Sequence, residues 1–297
     1  MIDLECVATF LAVVRYGGFR DASHYTGLSQ PTVSQHIRRL ERSLNASLIQ
    51  RSNAGCTLTH KGELFLPYAQ QLIRIHERVE ASFIQDELVV GASSNTGIYL
   101  LQPYLKAFRD EHPESLKLVI GSNADMISRL ENHEIDVAVL EWWNHQPSFQ
   151  ASLWRSEELV TIVPVNHPWA ERSSIPKEWL KGQALIGGEA GTGTGRLLRE
   201  YWGEDADTIS VAMQLGSTEA VKHAVQAGMG MSLVMVSSVE NEVRNKELAA
   251  LHIEGQPPSK KLYMVRREDA AMNTLVSRFI EFILKRDGQR EEEPCRQ

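Results

Sequence analysis

The 297-residue sequence predicts an α/β chain built from three successive parts, and three patterns carry that prediction. Two short helical segments joined by a glycine turn stand near the N-terminus, a long helical stripe follows them, and strands then alternate with helices. The length suffices for two or three domains, and a hydrophobic content of 42% is ordinary for a globular protein.

The second short helix is predicted to present a polar face. Ser29 is suited to cap its start, and Pro31 fits its first turn. Its buried side is marked by apolar residues at helical spacing, namely Val33, Ile37, Leu40 and Leu44. The opposite face carries Thr32, Gln35, Arg39 and Arg42. Amides and guanidinium groups pair with base edges and phosphates, so this face favours nucleic acid. On this pattern alone, an ordinary surface helix hairpin remains the alternative.

The surrounding residues complete a small domain over residues 1–59. A shorter helix at residues 20–25 precedes the polar one, a helix over residues 4–14 packs behind it, and residues 53–57 predict a hairpin tip. Residues 1–62 hold seven Lys or Arg against four Asp or Glu, a net charge of +3. Because the whole chain has a net charge of −7, the remaining residues carry −10. A basic module is thus attached to an acidic body.

Residues 60–84 predict one long helix with an apolar stripe. The stripe is formed by Leu64, Tyr68, Leu72, Ile75, Val79 and Phe83. An isolated stripe of this length needs a facing helix, so it favours pairing with a second copy. Packing against its own domain is the alternative.

These features resemble the winged helix-turn-helix of LysR-type transcriptional regulators. The resemblance is carried by Ala22, Ser29-Gln30-Pro31, Val33-Ser34, Ile37 and Leu40-Glu41, then by Leu48-Ile49, Arg51, Leu58-Thr59 and Gly62. It implies a bacterial regulator that binds a pseudo-palindromic DNA operator as a homodimer through the linker helix, or as a homotetramer, with RNA polymerase as a candidate partner. The side chains it places nearest the bases are Gln30, Pro31, Thr32, Ser34 and Gln35, and those nearer the phosphates are Arg38, Arg39, Arg51 and Thr59.

From residue 88 onward the alternation of strands and helices predicts parallel sheets with crossover helices. Strands are predicted at 88–91, 116–120 and 137–140 and helices at 99–109 and 126–132, and a second run extends from 159–164 to 261–265. The two ends of that run resemble the paired hinge strands of a periplasmic-binding-protein-like fold. The resemblance implies a two-lobed effector-binding domain over residues 88–287, with residues 288–297 as a disordered tail. Lobe I then comprises residues 88–161 and 266–287, and lobe II comprises residues 162–265.

In such a fold the ligand lies where strands end and helices begin, and helix N-termini favour anions. The effector-binding candidates are Ser93, Ser94, Asn95, Thr96, Ser122, Glu141, Thr192, Thr194 and Ser217. Each hydroxyl also has an ordinary reading as a helix cap. We therefore expect a small-molecule effector, an anionic metabolite, bound between the lobes. A carboxylate of Glu141 facing the cleft would disfavour a multiply charged anion.

Other features argue against catalysis, cofactors and export. The ten histidines lack metal-ligand spacing, and the glycine-rich run 191–195 lacks the Lys-Ser/Thr ending of a nucleotide loop. Cys6, Cys56 and Cys295 form no paired motif, which is typical of a reducing compartment, and the N-terminus has no signal-peptide pattern. We expect a cytoplasmic regulator that is not an enzyme and carries no metal or cofactor. A cytoplasmic solute-binding protein and a ligand-independent DNA-binding protein remain alternatives.

Overall fold

The computed structural model describes residues 1–52, 55–84, 87–112, 115–187, 194–268 and 275–292. The chain divides into two compact units, residues 1–85 and residues 86–297.

The N-terminal unit is helical with one small hairpin. Its elements are α1 (Leu4–Tyr16), α2 (Phe19–Thr26), α3 (Gln30–Leu44), β1 (Ile49–Ser52), β2 (Gly55–Leu58) and α4 (His60–Ile84). The two strands pair antiparallel with Ile49 opposite Leu58. The predicted helices and hairpin are all found, although the tip residues 53 and 54 lie outside the described residues.

The three short helices enclose one apolar core. Val33, Ile37 and Leu40 are buried as predicted, and they pack with Phe10 from α1. The ring of Phe65 from α4 lies 5.4 Å from the ring of Phe10, so the start of α4 belongs to the same core. A Cβ atom at Gly62 would collide with the backbone carbonyl of Leu48, so the glycine allows α4 to approach the hairpin closely.

The long helix α4 divides its apolar residues between two faces. Phe65 and Ala69 are buried in the core of the unit. By contrast, much of the predicted stripe is exposed within the single chain, since Leu64 is 51%, Tyr68 65% and Val79 49% exposed. The side chain of Phe83 lies outside the described residues.

The C-terminal unit is α/β. Its strands are β3 (Glu87–Ser93), β4 (Ser115–Gly121), β5 (Val137–Leu140), β6 (Phe149–Pro164), β7 (Ser174–Ile175), β8 (Ala184–Gly187), β9 (Ser210–Gln214), β10 (Ser232–Met235), β11 (Leu248–Ile253) and β12 (Ser259–Arg267). Its helices are α5 (Gln102–Glu111), α6 (Asn123–Glu131), α7 (Thr194–Trp202), α8 (Thr218–Gln226), α9 (Glu240–Arg244) and α10 (Leu275–Glu292). A π-helical turn, Thr96–Leu100, precedes α5, and a 3₁₀ turn, Val236–Ser238, precedes α9.

The sheets are mixed, so the prediction of parallel sheets holds only in part. The main sheet has the order β4-β3-β5-β12-β6-β11-β7, with β10 also paired to β6. Strand β3 is parallel to β4 and β5, and β8 is parallel to β9, as the alternation predicted. Strand β12 is antiparallel to β5 and β6, and β6 is antiparallel to β10 and β11. The antiparallel pairs arise where the chain crosses between the lobes and returns.

Strand β6 is the structural link between the lobes. It is 16 residues long and starts ten residues before the predicted strand. Its first part, from Phe149 to Glu158, pairs with β12, and its last part, from Leu159 to Pro164, pairs with β10 and β11. The two predicted hinge segments therefore lie on the paired strands β6 and β12 but do not pair with each other. Residues 261–265 pair with residues 151–156 of β6, ahead of the predicted segment 159–164, with a register shift between Leu262 and Tyr263.

The prediction placed the start of the disordered tail, at residue 288, within the last helix. Helix α10 continues to Glu292, because Phe279, Ile280 and Ile283 anchor it in the main core and the helix propagates beyond them. Residues 293–297 lie outside the described residues. Within the described parts of the chain, no helix combines the length and apolar character needed to cross a membrane.

Candidate DNA-binding face and effector cleft

The N-terminus of α3 carries the predicted base-reading residues. The hydroxyl of Ser29 accepts a hydrogen bond from the backbone N–H of Thr32 at 3.2 Å, which confirms the predicted cap. Gln30, Pro31 and Gln35 are exposed, whereas Thr32 and Ser34 are half-buried. The amides of Gln30 and Gln35 therefore stand on a helix whose opposite face is fixed in the core.

The predicted phosphate contacts have different surroundings. Arg38 is exposed, and Arg39 is also exposed but forms a 3.0 Å ion pair with Asp3 at the start of α1. Arg51 lies on β1, but its side chain is outside the described residues. The hydroxyl of Thr59 donates to the carbonyl of Ser47 at 2.6 Å and accepts from the N–H of Gly62 at 3.0 Å, so it also closes the turn before α4.

Glu41 has a role that its helical position did not predict. Its Oε1 accepts hydrogen bonds from the backbone N–H groups of Leu48 at 2.8 Å and Ile49 at 3.2 Å. These bonds fix the start of the hairpin to α3, because one carboxylate oxygen accepts from two successive backbone N–H groups. The only sequence signal for this contact was the place of Leu40-Glu41 in the motif.

The loop after β3 contains the first group of effector candidates, and most of it is buried. Ser93 is 2% exposed, and its hydroxyl lies 2.8 Å from that of Thr96, which is fully buried. Both hydroxyl oxygens also lie within hydrogen-bond distance of the carbonyl of Val139 at the end of β5, at 3.3 and 3.2 Å. The hydroxyl of Ser94 donates to the carbonyl of Gly121 at 3.2 Å and is only half-buried. The loop is thus tied to the ends of both neighbouring strands.

A buried ion pair lies beside this loop. The carboxylate of Glu141 is 2.7 Å from the Nζ of Lys260, and the two side chains are 1% and 5% exposed. Asn95 donates to the same carboxylate through its backbone N–H and its Nδ2, each at 3.2 Å. The charge of Glu141 is therefore compensated within the protein, so the predicted repulsion of an anion is offset.

Contacts between the lobes converge on the first turn of α8. Thr218 Oγ1 donates to Asn95 Oδ1 at 2.7 Å, and the hydroxyl of Tyr99 donates to Glu219 Oε1 at 2.6 Å. Lys222, 3% exposed, pairs with Glu219 at 2.7 Å. Burial and the hydrogen bond to Glu219 raise the pKa of Tyr99, so its hydroxyl remains a donor at neutral pH.

The other effector candidates do not all join this group. Ser122 caps α6 and Ser217 caps α8, each accepting from the N–H three residues onward. Thr194 is the first residue of α7, with a side chain outside the described residues, and Thr192 lies wholly outside them. Ser93, Asn95, Thr96 and Glu141 are brought together by direct bonds, and Ser217 adjoins Thr218, which bonds to them.

Sequence reasoning missed Lys260, Thr218, Tyr99 and Lys222. Lys260 lies on β12, one residue before the predicted hinge segment, and no local pattern distinguishes it from the neighbouring Lys261. The other three depend on the approach of the two lobes, which no local pattern encodes. In the described parts of the chain, no group of three or more His, Cys, Asp or Glu side chains is arranged to hold a metal ion.

Comparisons with known proteins match both units. Residues 4–63 match the family described as bacterial regulatory helix-turn-helix protein, lysR family, and residues 82–288 match the LysR substrate binding domain. The chain is 38% identical over 196 residues, 65% of its length, to the whole of PtxE from Stutzerimonas stutzeri, described as an HTH-type transcriptional regulator.

Two solved structures share the fold at low identity. CbnR, a LysR family transcriptional regulator, aligns over 96% of this chain and 99% of its own, with a TM-score of 0.72 and 19% identity. The regulatory domain of CcmR from Synechocystis PCC6803, solved in complex with 2-PG, aligns over 68% of this chain and 97% of its own, with a TM-score of 0.61 and 23% identity.

Proposed function

This chain belongs to the lysR family of bacterial helix-turn-helix regulators, and on that premise we propose a homodimeric operator-binding protein that senses a small anion in its interlobe cleft. As a family member it is a DNA-binding regulator of transcription whose activity is controlled by a small-molecule effector. We further infer that it works in the cytoplasm, where its DNA is, and that it catalyses no reaction.

The observation that carries the DNA-binding role is the exposed N-terminal face of α3. Gln30 and Gln35 are exposed on a helix that is capped at Ser29 and buried along its other face. Glutamine amides pair with adenine in the major groove, and the helix N-terminus itself favours phosphate. Exposed Arg38 adds a charge that is suited to the DNA backbone.

The two kinds of contact are separable by experiment. Gln30→Ala should weaken operator binding by about 1–3 kcal/mol at one base-pair position, because a bidentate base contact is lost. Arg38→Gln should weaken specific and non-specific binding alike and reduce the slope of log affinity against log salt by about 0.9 per phosphate contact. Fluorescence anisotropy across a set of single-base operator variants distinguishes them. Uniform weakening by Gln30→Ala would contradict its base-reading role.

The exposed stripe of α4 supports the homodimer. Tyr68 and Val79 leave 65% and 49% of their surfaces exposed in the single chain, which costs free energy unless another surface covers them. A twin helix with the same stripe buries both at once, because a two-fold interface uses each contact twice.

Val79→Glu should therefore raise the dimer dissociation constant at least about a hundredfold, since about 1.5 kcal/mol of burial is lost from each copy. Gln70→Glu introduces the same charge at another exposed position of α4 and serves as the control. Sedimentation equilibrium measures both. Equal dissociation constants for the two variants would place the dimer interface elsewhere.

The anionic effector is supported by Lys260 and by the helix N-termini that surround the cleft loop. Lys260 Nζ donates at 2.7 Å to Glu141 and so offsets the carboxylate that would otherwise repel an anion. The N-termini of α6 and α8 add partial positive charge where the lobes meet. CcmR was solved with 2-PG, which makes 2-PG a suitable first probe for this cleft.

Titration calorimetry should show saturable binding of 2-PG or inorganic phosphate but not of uncharged glycerol. Thr194→Val should weaken the anion about tenfold by removing one hydrogen bond to a charged group, and effector-free operator affinity should stay unchanged. Thr208→Val removes an exposed hydroxyl that bonds to the carbonyl of Asp205 in lobe II and is the matched control. Glycerol binding as tightly as both anions would overturn the assignment of an anionic effector.

A further inference from the structure

A separate cavity of about 300 Å³ lies beside the interlobe contacts. Both lobes and the linking strand β6 supply its walls, chiefly Tyr99, Pro103, Arg155, Glu157, Ser237 and Glu240. The residues that line it include none of the effector candidates. Its volume is at the lower end of the range for small-molecule sites, about 300 Å³ upward, so it suits a compact ligand.

The charged groups of this cavity carry an excess of negative charge. Arg155 is shared by two carboxylates, with its Nε 2.8 Å from Glu157 and its Nη1 3.2 Å from Asp287. Tyr104 also donates to Asp287. Glu240 also lines the cavity, so its lining holds two carboxylates and one guanidinium, and that guanidinium is shared with Asp287 behind the wall.

The excess of negative charge affects the pKa of Glu157. The side chain is only 3% exposed, and burial raises the pKa of Glu157 above its usual range. Arg155 and the hydroxyl of Ser237 act in the opposite direction, while Asp287 and Glu240 raise the pKa of Glu157 further. A positive group placed beside Glu157 would therefore be stabilised by charges that the protein leaves only partly compensated.

The remaining wall is apolar. Leu100, Pro103 and Val236 line the cavity together with the side chain of Tyr99. Such a surface favours a ligand with an apolar body, since polar groups buried against it would lose their hydration.

We propose that this cavity, the hinge cavity, binds a small organic amine in its protonated, positively charged form. The ammonium pairs with Glu157 and Glu240, and the apolar body packs against Leu100 and Pro103. An anion is disfavoured here because Arg155 is already engaged by Glu157 and Asp287.

Occupancy of the hinge cavity is coupled to the arrangement of the lobes. Tyr99 lines the cavity and also donates to Glu219 at the start of α8. A ligand that touches Tyr99 and Glu240 together favours the arrangement in which these residues of different lobes lie close. The amine is thus a second input to the regulator, bound at a site separate from the main cleft and acting on the same arrangement of lobes.

Calorimetric titration of the full chain with benzylamine at neutral pH tests this proposal. Benzylamine should bind at one site per chain, whereas uncharged benzyl alcohol should bind at least about tenfold more weakly, because the ion-paired hydrogen bonds are lost. Benzoate, of similar shape and opposite charge, should bind more weakly still.

Two carboxylate variants locate the site. Glu157→Gln and Glu240→Gln should each weaken benzylamine about tenfold. Glu240 is exposed, so its variant reports on binding even if Glu157→Gln impairs folding. Glu254→Gln changes a carboxylate in a different cavity of lobe II and should leave the affinity unchanged. No saturable benzylamine binding, tighter binding of benzoate, or equal affinity in Glu240→Gln and Glu254→Gln would each overturn the proposal.

Discussion

The exposed face of α3 and the loop after β3 contain the same types of polar residue, but the amides are exposed in the first region and buried in the second. Both regions hold serine, threonine and amide side chains that follow a turn. On α3, Gln30 and Gln35 point their amides outward on a helix secured from behind. After β3, Ser93 and Asn95 are buried, and their polar atoms bond to neighbouring strands, to Glu141 and to the opposite lobe.

The difference shows that a polar residue at an element boundary has two physical fates. An exposed amide is hydrated in the free protein and exchanges water for a partner when DNA binds, so it contributes little to folding. A buried amide must be paired for the protein to fold, so it contributes to stability before any ligand arrives. The following substitutions test this contrast, from the largest expected effect on stability to the smallest.

The largest effect is expected at the buried ion pair. Lys260→Met leaves the carboxylate of Glu141 buried without its cation and should lower the free energy of unfolding by about 3–5 kcal/mol. Urea denaturation followed by circular dichroism measures the change. Glu141→Gln combined with Lys260→Met should recover most of the loss, because no charge then remains buried. A single variant as stable as the wild type would show that Glu141 is not committed to Lys260.

Asn95→Ala should have the next largest effect. The substitution removes one of the donors to the buried carboxylate of Glu141 and the acceptor for half-buried Thr218, so the loss should be about 1–3 kcal/mol. Asn132→Ala removes one long 3.4 Å bond to Ser128 and serves as the control. If the two variants unfold at the same urea concentration, the contact between Asn95 and lobe II does not form in solution.

Ser29→Ala should cost about 1 kcal/mol, since it removes the cap that satisfies an N–H of the first turn of α3. The control is Ser43→Ala near the end of the same helix, where the hydroxyl donates to the carbonyl of Leu40. Alanine favours the helix there, so this variant should be as stable as the wild type or slightly more so. Hydrogen exchange of the backbone amides in residues 1–84, measured on the full chain at increasing temperature, compares the stabilities of the two variants.

The smallest effect on stability is expected at the DNA-reading face. Gln35→Ala should change the free energy of unfolding by less than about 0.5 kcal/mol, because an exposed side chain without a structural role is removed. Operator affinity should nevertheless fall by about 1–3 kcal/mol. Marked destabilisation by this variant would erase the contrast between the two regions.

Much of the chain could be predicted from its sequence because the deciding interactions are local. The spacing of Val33, Ile37 and Leu40 predicted the buried face of α3, and Ser29 predicted its cap; the structure confirms both. The helix α4 and the strands of lobe I were also predicted and confirmed, whereas the two predicted hinge segments lie on paired strands but not opposite each other. The early start of β6 was not predicted because its partner is the distant strand β12, and the continuation of α10 to Glu292 was not predicted because it depends on the anchoring of the preceding turns in the main core.

The sequence by itself determined where helices begin, which faces are apolar and which module is basic. These properties follow from periodicity, capping and charge within short stretches of chain. Only the tertiary structure decided that Glu141 meets Lys260, that Asn95 reaches Thr218, and that Arg155 is shared by two carboxylates. The pairs Glu141–Lys260, Asn95–Thr218 and Arg155–Asp287 each join residues more than a hundred positions apart, and their partners are selected by strand register and lobe closure.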